Sequence, residues 1–431
     1  MAHNSTILRK IPIDNHNRTC YVHLTVGPLF SSGTSMSKIF TKIPRVIVLL
    51  LTAFKVHRDC LKGIIRYARL HGPWEFHIIE GREAEQSTLN FKTWNADGLI
   101  AYANNNDYCK TILQSSVPSI LIDPWDHHQE EFPLDQHNII LCDSFAVGKA
   151  AADFFLQQKF RHFGYVSEAK NAQWSRERGR GFASHIQAAG FEYHSYENHS
   201  LKEQNDWGLE QKRLKKWLLG LPKPIALLAA MDVRGRQVIE VCRSANLSVP
   251  YEIAVLGVDN DELLCESTNP SLSSLMMTID EACFEGAARL DRLMRKKEIS
   301  TSSLIHYGPK EVVVRRSTNP TIISDKLVIQ ALEFIEVNAC VPITVSDVVK
   351  FLGISRRSAE LRFHKELRHT ILDEINRIRL EKVVTFLKQT DMSIAEISRI
   401  TGFTNGNYLA CVFRKHLHMS MSDFRNLHAE P

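Results

Sequence analysis

Hydrophobic and polar positions follow one rhythm up to about residue 316 and a different one beyond it. In the first stretch, short and nearly unbroken apolar runs recur: RVIVLLL (45–51), EFHIIE (75–80), DGLIAYA (97–103), PSILID (118–123), HFGYVS (162–167), PIALLAA (224–230) and EIAVLGV (252–258). Between several of them lie stretches of helical period at 143–158, 176–189, 232–246 and 280–296. In the third of these, Val233, Val238, Ile239, Val241 and Cys242 fall largely on one side. Strands that are apolar throughout, alternating with helices, predict βαβ units and a parallel sheet covered on both faces. The runs are too many for one small sheet, so two α/β lobes side by side are expected over 44–316. Residues 1–40 show neither period and are expected to form a disordered extension, with a later start at Met36 as an alternative. A polar stretch, RRSTNPTIISD (315–325), breaks the rhythm, and residues 317–325 are expected to be a linker.

From 326 to 427 the strand signal fades and short helical periods separated by Gly or Ser take over. In ITVSDVVKFLGISRRSAELRFHKEL (343–367), Val345, Val348, Val349 and Leu352 make one short amphipathic helix. Gly353 supplies a left-handed C-terminal cap, and Ser355 caps a second helix starting at Arg356. There Ala359 and Phe363 face inward, while Arg356, Arg357, Glu360 and His364 face out. The pattern recurs in SIAEISRITGFTNGNYLACVFRKH (393–416): Ser393 and Glu396 form a capping box, Gly402 turns the chain, and Thr404 or Asn405 caps the next helix. A long helix, 371–389, joins the two, with Ile375, Ile378, Val383, Val384 and Leu387 on its buried side. Each unit has the form of a helix-turn-helix, a motif whose second helix enters a major groove; one copy can equally be a structural Gly turn, whereas two copies joined by a helix are more specific. Arg356, Arg357 and Glu360 can reach base edges, as can Asn405 and Asn407, while Arg362, Arg414 and Lys415 suit phosphates and Ser355 and Thr404 are further candidate DNA contacts; each can equally be an exposed, solvated residue. Tyr408 serves either the core or a backbone contact.

Composition narrows the picture further. The chain has 431 residues, more than one ordinary core accommodates. Its 44 % hydrophobic and 23 % charged residues are those of a globular protein, and its longest apolar run, 46–53, is too short to cross a bilayer. No export signal is visible and nine cysteines lack CxxC pairing, so a cytoplasmic protein without disulfides, metal or cofactor is expected. Residues 326–431 hold 15 Lys/Arg against 12 Asp/Glu, permissive for a nucleic-acid partner. An enzyme is not expected: no phosphate loop, GxSxG elbow or HExxH is present, and ERGRGF (177–182) has the wrong spacing for a dinucleotide fingerprint.

The chemistry-bearing residues of the α/β region stand at strand ends, where open sheets bind ligands. Asp143, Asp232 and Asp259 close the runs IILCD, LLAAMD and VLGVD, and Arg178 opens a helix beside Trp174. Carboxylates and a guanidinium against an aromatic wall fit a polyhydroxyl ligand. Asp143 and Asp259 can equally cap the helix or turn that follows, and Phe54 and Trp174 can be core residues or stacking platforms.

These features resemble known families. GISRRSAELRFHKEL, RIRLEKVVTFL, SIAEISRITGF and VFRKH resemble the AraC-type DNA-binding domain over 325–427. Arg368, Met421, Leu361 and Cys411 stand where that pattern has glycine, proline or basic and polar residues. CDSFAVGKAAADFF, WSRERGRGF, AAMDVRGRQVIEVC and VLGVDNDEL resemble the sugar-sensing domain of LacI-type repressors, itself similar to periplasmic sugar-binding proteins. The resemblance implies ligand contacts by Arg178 and Asp232 and, less regularly, by Asp143 and Asp259. A LacI-like sensor ahead of an AraC-type domain looks like the xylose operon regulatory group, which RRSTNPTIISDKLVIQALEFI across the junction also resembles. That implies a D-xylose-responsive activator that binds double-stranded DNA as a homodimer, with RNA polymerase as a further partner. A binding or transport protein with a helical interaction module is the rival reading.

Overall fold

The computed structural model describes residues 9–12, 19–22, 43–80, 95–102, 106–124, 136–168, 172–197, 207–295, 302–318, 323 and 325–428. Within the first forty residues, β1 (Arg9–Pro12) and β2 (Thr19–Val22) pair antiparallel as a small hairpin, a local order that the sequence reading did not anticipate. The rest of the expected extension lies outside the described residues.

From Pro44 onward the two expected lobes are present. The first holds β3 (Arg45–Leu50), β4 (Glu75–Glu80), β5 (Gly98–Tyr102), β6 (Ser119–Ile122), β7 (Asn138–Cys142) and β13 (Ser303–Tyr307), in the order β13-β7-β6-β5-β3-β4 and parallel throughout. The second holds β8 (Phe163–Val166), β9 (Tyr193–Tyr196), β10 (Ile225–Ala229), β11 (Ile253–Val258), β12 (Ser273–Met277) and β14 (Pro309–Val313), in the order β14-β12-β11-β10-β8-β9. Only β14 runs antiparallel there, against β12. Every residue of β10 and β11 is buried, as a strand covered on both faces requires.

Helices α1 (Lys55–His71), α2 (Asn106–Gln114), α3 (Ser144–Gln157), α4 (Gln173–Ala188), α5 (Trp207–Gly220), α6 (Asp232–Ser244), α7 (Glu262–Ser267) and α8 (Ile279–Met294) complete the lobes. Helices α3 and α4 approach closely, because a Cβ at Gly148 would stand 2.0 Å from the Arg178 carbonyl oxygen. The chain crosses between lobes at Asp143, Thr278 and Gly308. These crossings are bonded together: Asp143 N–H donates to Tyr307 O at 2.8 Å, and Thr278 N–H to Gly308 O at 3.0 Å. Gly308 N–H donates to Thr278 Oγ1 at 3.0 Å.

The expected linker begins inside the second lobe. Ser317 and Thr318 are buried. Ser317 Oγ accepts from Ser273 N–H at 2.8 Å, and Thr318 Oγ1 donates to Ser273 Oγ at 2.7 Å. Asp325 then caps α9 (Lys326–Asn338), accepting from Leu327 N–H at 3.0 Å.

The remaining helices are α10 (Val345–Leu352), α11 (Arg356–Leu367), α12 (Ile371–Gln389), α13 (Ile394–Ile400), α14 (Gly406–Leu417) and α15 (Met421–His428). They bury two separate clusters. Helices α9, α10 and α11 share one with Ile371, Ile375 and Ile378 of α12. Helices α13, α14 and α15 share the other with Leu380, Val383 and Leu387 of the same helix. A single helix thus carries both units.

Candidate effector cleft and DNA-reading helices

In the cleft, Arg178 projects from the first turns of α4 and is only 4 % exposed. Its guanidinium donates to the Ala230 carbonyl at the end of β10 and lies 5.0 Å from the Trp174 ring. Among the described residues its Nε–H finds no acceptor. Cys142, Asp259, Tyr165 and Tyr307 are its electrostatic neighbours, so groups from both lobes converge on this cation.

Asp232 is buried too, but both its oxygens are engaged by its own lobe. Oδ2 accepts from Asp261 N–H at 2.6 Å and Oδ1 from Ser274 Oγ–H at 2.5 Å. Burial pushes its carboxyl up to about 8, with the Asp259 charge adding to the shift. In this arrangement Asp232 positions the turn that carries Asp259. That turn is strained: Asp259 has φ +98° and Asn260 φ +52°. Burial lifts the Asp259 carboxyl to about 6, against the pull of Arg178 and of Lys55 from the opposite lobe. Asp143 caps α3, accepting from Ala146 N–H at 2.8 Å, while remaining exposed at the crossing. Phe54 is 42 % exposed beyond the end of β3, and Trp174 is half-buried.

Sequence reasoning missed several groups in the same place. Asp123 accepts from Tyr307 Oη–H at 2.6 Å and from Cys142 N–H at 2.9 Å. It closes PSILID as the other aspartates close their runs, so the same signal would have found it. Arg58 donates to Asp261 Oδ2 at 2.8 Å, an ion pair that bridges the lobes. His57 accepts from Leu51 N–H at 3.0 Å, and burial drops its pKa to about 4, keeping the ring neutral. The Arg58 role comes from packing across distant segments, whereas the His57 bond is local, to Leu51 six residues earlier, and no motif marks either.

At the other end of the chain, Gly353 takes φ +65° and ψ +23°, and Ser355 Oγ accepts from Ser358 N–H at 3.3 Å, giving the turn and cap expected. Ala359 and Phe363 are buried, and Arg356 and Arg357 are exposed. Glu360 sits on the flank of α11, where Oε2 accepts from Ile371 N–H at 3.3 Å, and Arg362 pairs with Asp325. Both side chains therefore have duties inside the domain. In the second unit, Gly402 has φ +77°, and Asn405 Oδ1 accepts from Tyr408 N–H at 2.7 Å, so Asn405 rather than Thr404 is the cap. Thr404, Asn407, Arg414 and Lys415 are exposed, the last three lining one shallow depression on α14. Tyr408 straddles core and surface: its Oη accepts from Asn376 Nδ2–H at 3.0 Å. Arg379, also unanticipated, donates to the carbonyls of Ala339, Val341 and Ile343 and lies 5.7 Å from the Phe403 ring. It fastens the two units to each other.

Among the described residues, Tyr251 and Arg316 join lobe and helices. Tyr251 packs on the first helical cluster, and Arg316 pairs with Glu336 of α9.

Comparison with known proteins agrees with this architecture. Residues 152–318 match a periplasmic binding protein-like domain, and residues 348–427 a helix-turn-helix domain. The xylose operon regulatory protein of Escherichia coli K12 is 29 % identical over 395 residues, 91 % of this chain and 99 % of that protein. Its counterpart in Haemophilus influenzae is 29 % identical over 383 residues, 88 % of this chain and 97 % of that one. The solved structure of the xylose-binding transcription activator XylR superposes with a TM-score of 0.78 at 28 % identity, covering 91 % of this chain and all of that one. The cellobiose complex of the regulator CelR, at 17 % identity and a TM-score of 0.52 over 63 % of this chain, shares the fold of the lobes. The chain thus joins a periplasmic-binding-protein-like sensor to paired helix-turn-helix units, in the arrangement of xylose operon regulatory proteins. Among the described residues no helix is long and apolar enough to cross a membrane, and no cluster of side chains could hold a metal ion.

Proposed function

We infer that this chain is a sugar-responsive, DNA-binding transcription regulator, with D-xylose as effector and activation of pentose-utilisation genes as output. One observation carries the reading: a guanidinium buried between two lobes, with a donor left over, in the same chain as two outward-facing recognition helices on one shared helix. Arg178 and Asp259 offer a donor and an acceptor to adjacent hydroxyls, and Trp174 and Phe54 offer apolar walls. Asp143 stands at the crossing and Asp232 holds the Asp259 turn. Sugar bridging the lobes favours the closed form by its differential affinity for that state. The rearrangement passes through the bonded crossings and reaches the helices through Tyr251 and Arg316. As a homodimer, the protein then holds its paired reading heads at the spacing of adjacent half-sites, beside RNA polymerase.

Titrating D-xylose by calorimetry and repeating DNA binding with and without it tests the assignment. One-site binding with tightened DNA affinity is expected. Saturable sugar binding by a protein with no affinity for any duplex would favour a binding or transport role.

A further inference from the structure

The two units superpose along the chain. The step that carries Ser355 onto Asn405 also carries Ala359 onto Leu409, Phe363 onto Phe413, and Arg368 onto His418, both of the latter being left-handed C-caps. It carries Leu361 onto Cys411. Both lie at the middle of their helices' outward faces, diametrically opposite the buried pairs Ala359/Phe363 and Leu409/Phe413. Leu361 is 63 % exposed, and Cys411 and its neighbour Ala410 are exposed as well.

Around each of these apolar centres the face is polar and cationic. Arg357, His364, Lys365 and Arg368 surround Leu361, and Asn407, Arg414, Lys415 and His418 surround Cys411; all are exposed. Glu360, the nearest carboxylate in sequence, is turned to the flank and bonded to Ile371 N–H. A face with cationic edges and a small apolar centre complements a surface with phosphate rims and an apolar group in the middle. In the major groove, the apolar group that base edges present is the thymine 5-methyl.

We propose that Leu361 reads the 5-methyl of a thymine, and that Cys411 with Ala410 reads a second one in the half of the site met by α14. The proposal rests on the DNA-binding reading above. The flanking cations other than Arg357, which can itself reach a base edge, hold phosphates and set the register, and the apolar centres add discrimination. Because Leu361 is exposed, shortening it leaves the buried cluster of Ala359 and Phe363 intact.

The test uses the full chain and duplexes that it selects from a random-sequence pool, resynthesised with uracil replacing thymine one position at a time. Uracil differs from thymine only by that methyl. At one position in each half-site, the change should weaken binding about threefold to fivefold, the value of one buried methyl-sized group. Leu361→Ala should bind the thymine and uracil duplexes equally at the first of these positions, while still responding to uracil at the second, and the double variant Ala410→Ser, Cys411→Ser should show the reverse. Wild-type indifference to every uracil substitution overturns the proposal, as does an unchanged thymine preference in Leu361→Ala. An unchanged preference with loss of the dimer by sedimentation would assign Leu361 to self-association instead. If the wild-type chain selects no sequence at all, the DNA-binding reading itself fails.

Discussion

A buried guanidinium with one unpaired N–H is held at a cost of about 1–3 kcal/mol, and Arg178 is in that position beside the Asp259 carboxylate. A sugar hydroxyl that accepts from Nε removes the cost, so Arg178→Ala should abolish the sugar response while basal DNA binding survives, as calorimetry and mobility shift would show. Asp259 adds a pH dependence. Its carboxyl is lifted to about 6, chiefly by burial. Above that pH it is ionised and accepts strongly from a hydroxyl. As pH falls through 6 it takes a proton, so sugar affinity should drop up to about tenfold between pH 7 and pH 5. Asp259→Asn should flatten the profile. Aspartates at the ends of apolar runs were legible in the sequence because a buried strand followed by a carboxylate is a short-range pattern. How each side chain divides its bonds was not. Asp232 spends both oxygens on Asp261 and Ser274, and the latter comes from a distant strand.

Among the elements, α12 and the two turns it supports define the reading domain. Capping signals and Gly353 and Gly402 gave both helix-turn-helix units nearly residue for residue, since caps and left-handed turns are written locally. Arg379 was not legible, because its three carbonyl acceptors lie in the loop between α9 and α10. Arg379→Met should destabilise the domain by about 3 kcal/mol, measured by urea denaturation, because the Ala339 and Ile343 carbonyls lose their donor and Val341 O keeps only Ile343 N–H. Gly402→Ala should also destabilise: φ is +77° and the added Cβ would stand 2.5 Å from Ala339 O. On the exposed faces, Arg357→Ala should weaken DNA binding and leave sugar affinity unchanged. Lys415→Ala should lower the slope of log affinity against log salt by about one.

For the whole molecule, the order of parts was visible from the switch between strand and helix periods near residue 316. The boundary itself was displaced, because Ser317 and Thr318 look like linker residues but are hydrogen-bonded into the second lobe. Strands β9, β13 and β14 were less visible, being short or partly exposed, and β12 because it opens on two serines, while β14 returns antiparallel at a sheet edge. The lobe–helix contacts of Arg316 and Tyr251 were not readable from spacing at all. Glu336→Lys should therefore leave sugar binding and DNA binding each intact while reducing the effect of one on the other, as a pair of titrations would reveal.

The account turns on coupling between the cleft and the reading helices. Fluorescence anisotropy of a selected duplex, titrated with the full chain at zero and at saturating D-xylose, measures it directly. A change of at least fivefold in affinity, about 1 kcal/mol of coupling, is predicted, and Arg178→Ala should abolish it. Superimposable curves from a protein that calorimetry shows to be saturated with the sugar would contradict the account.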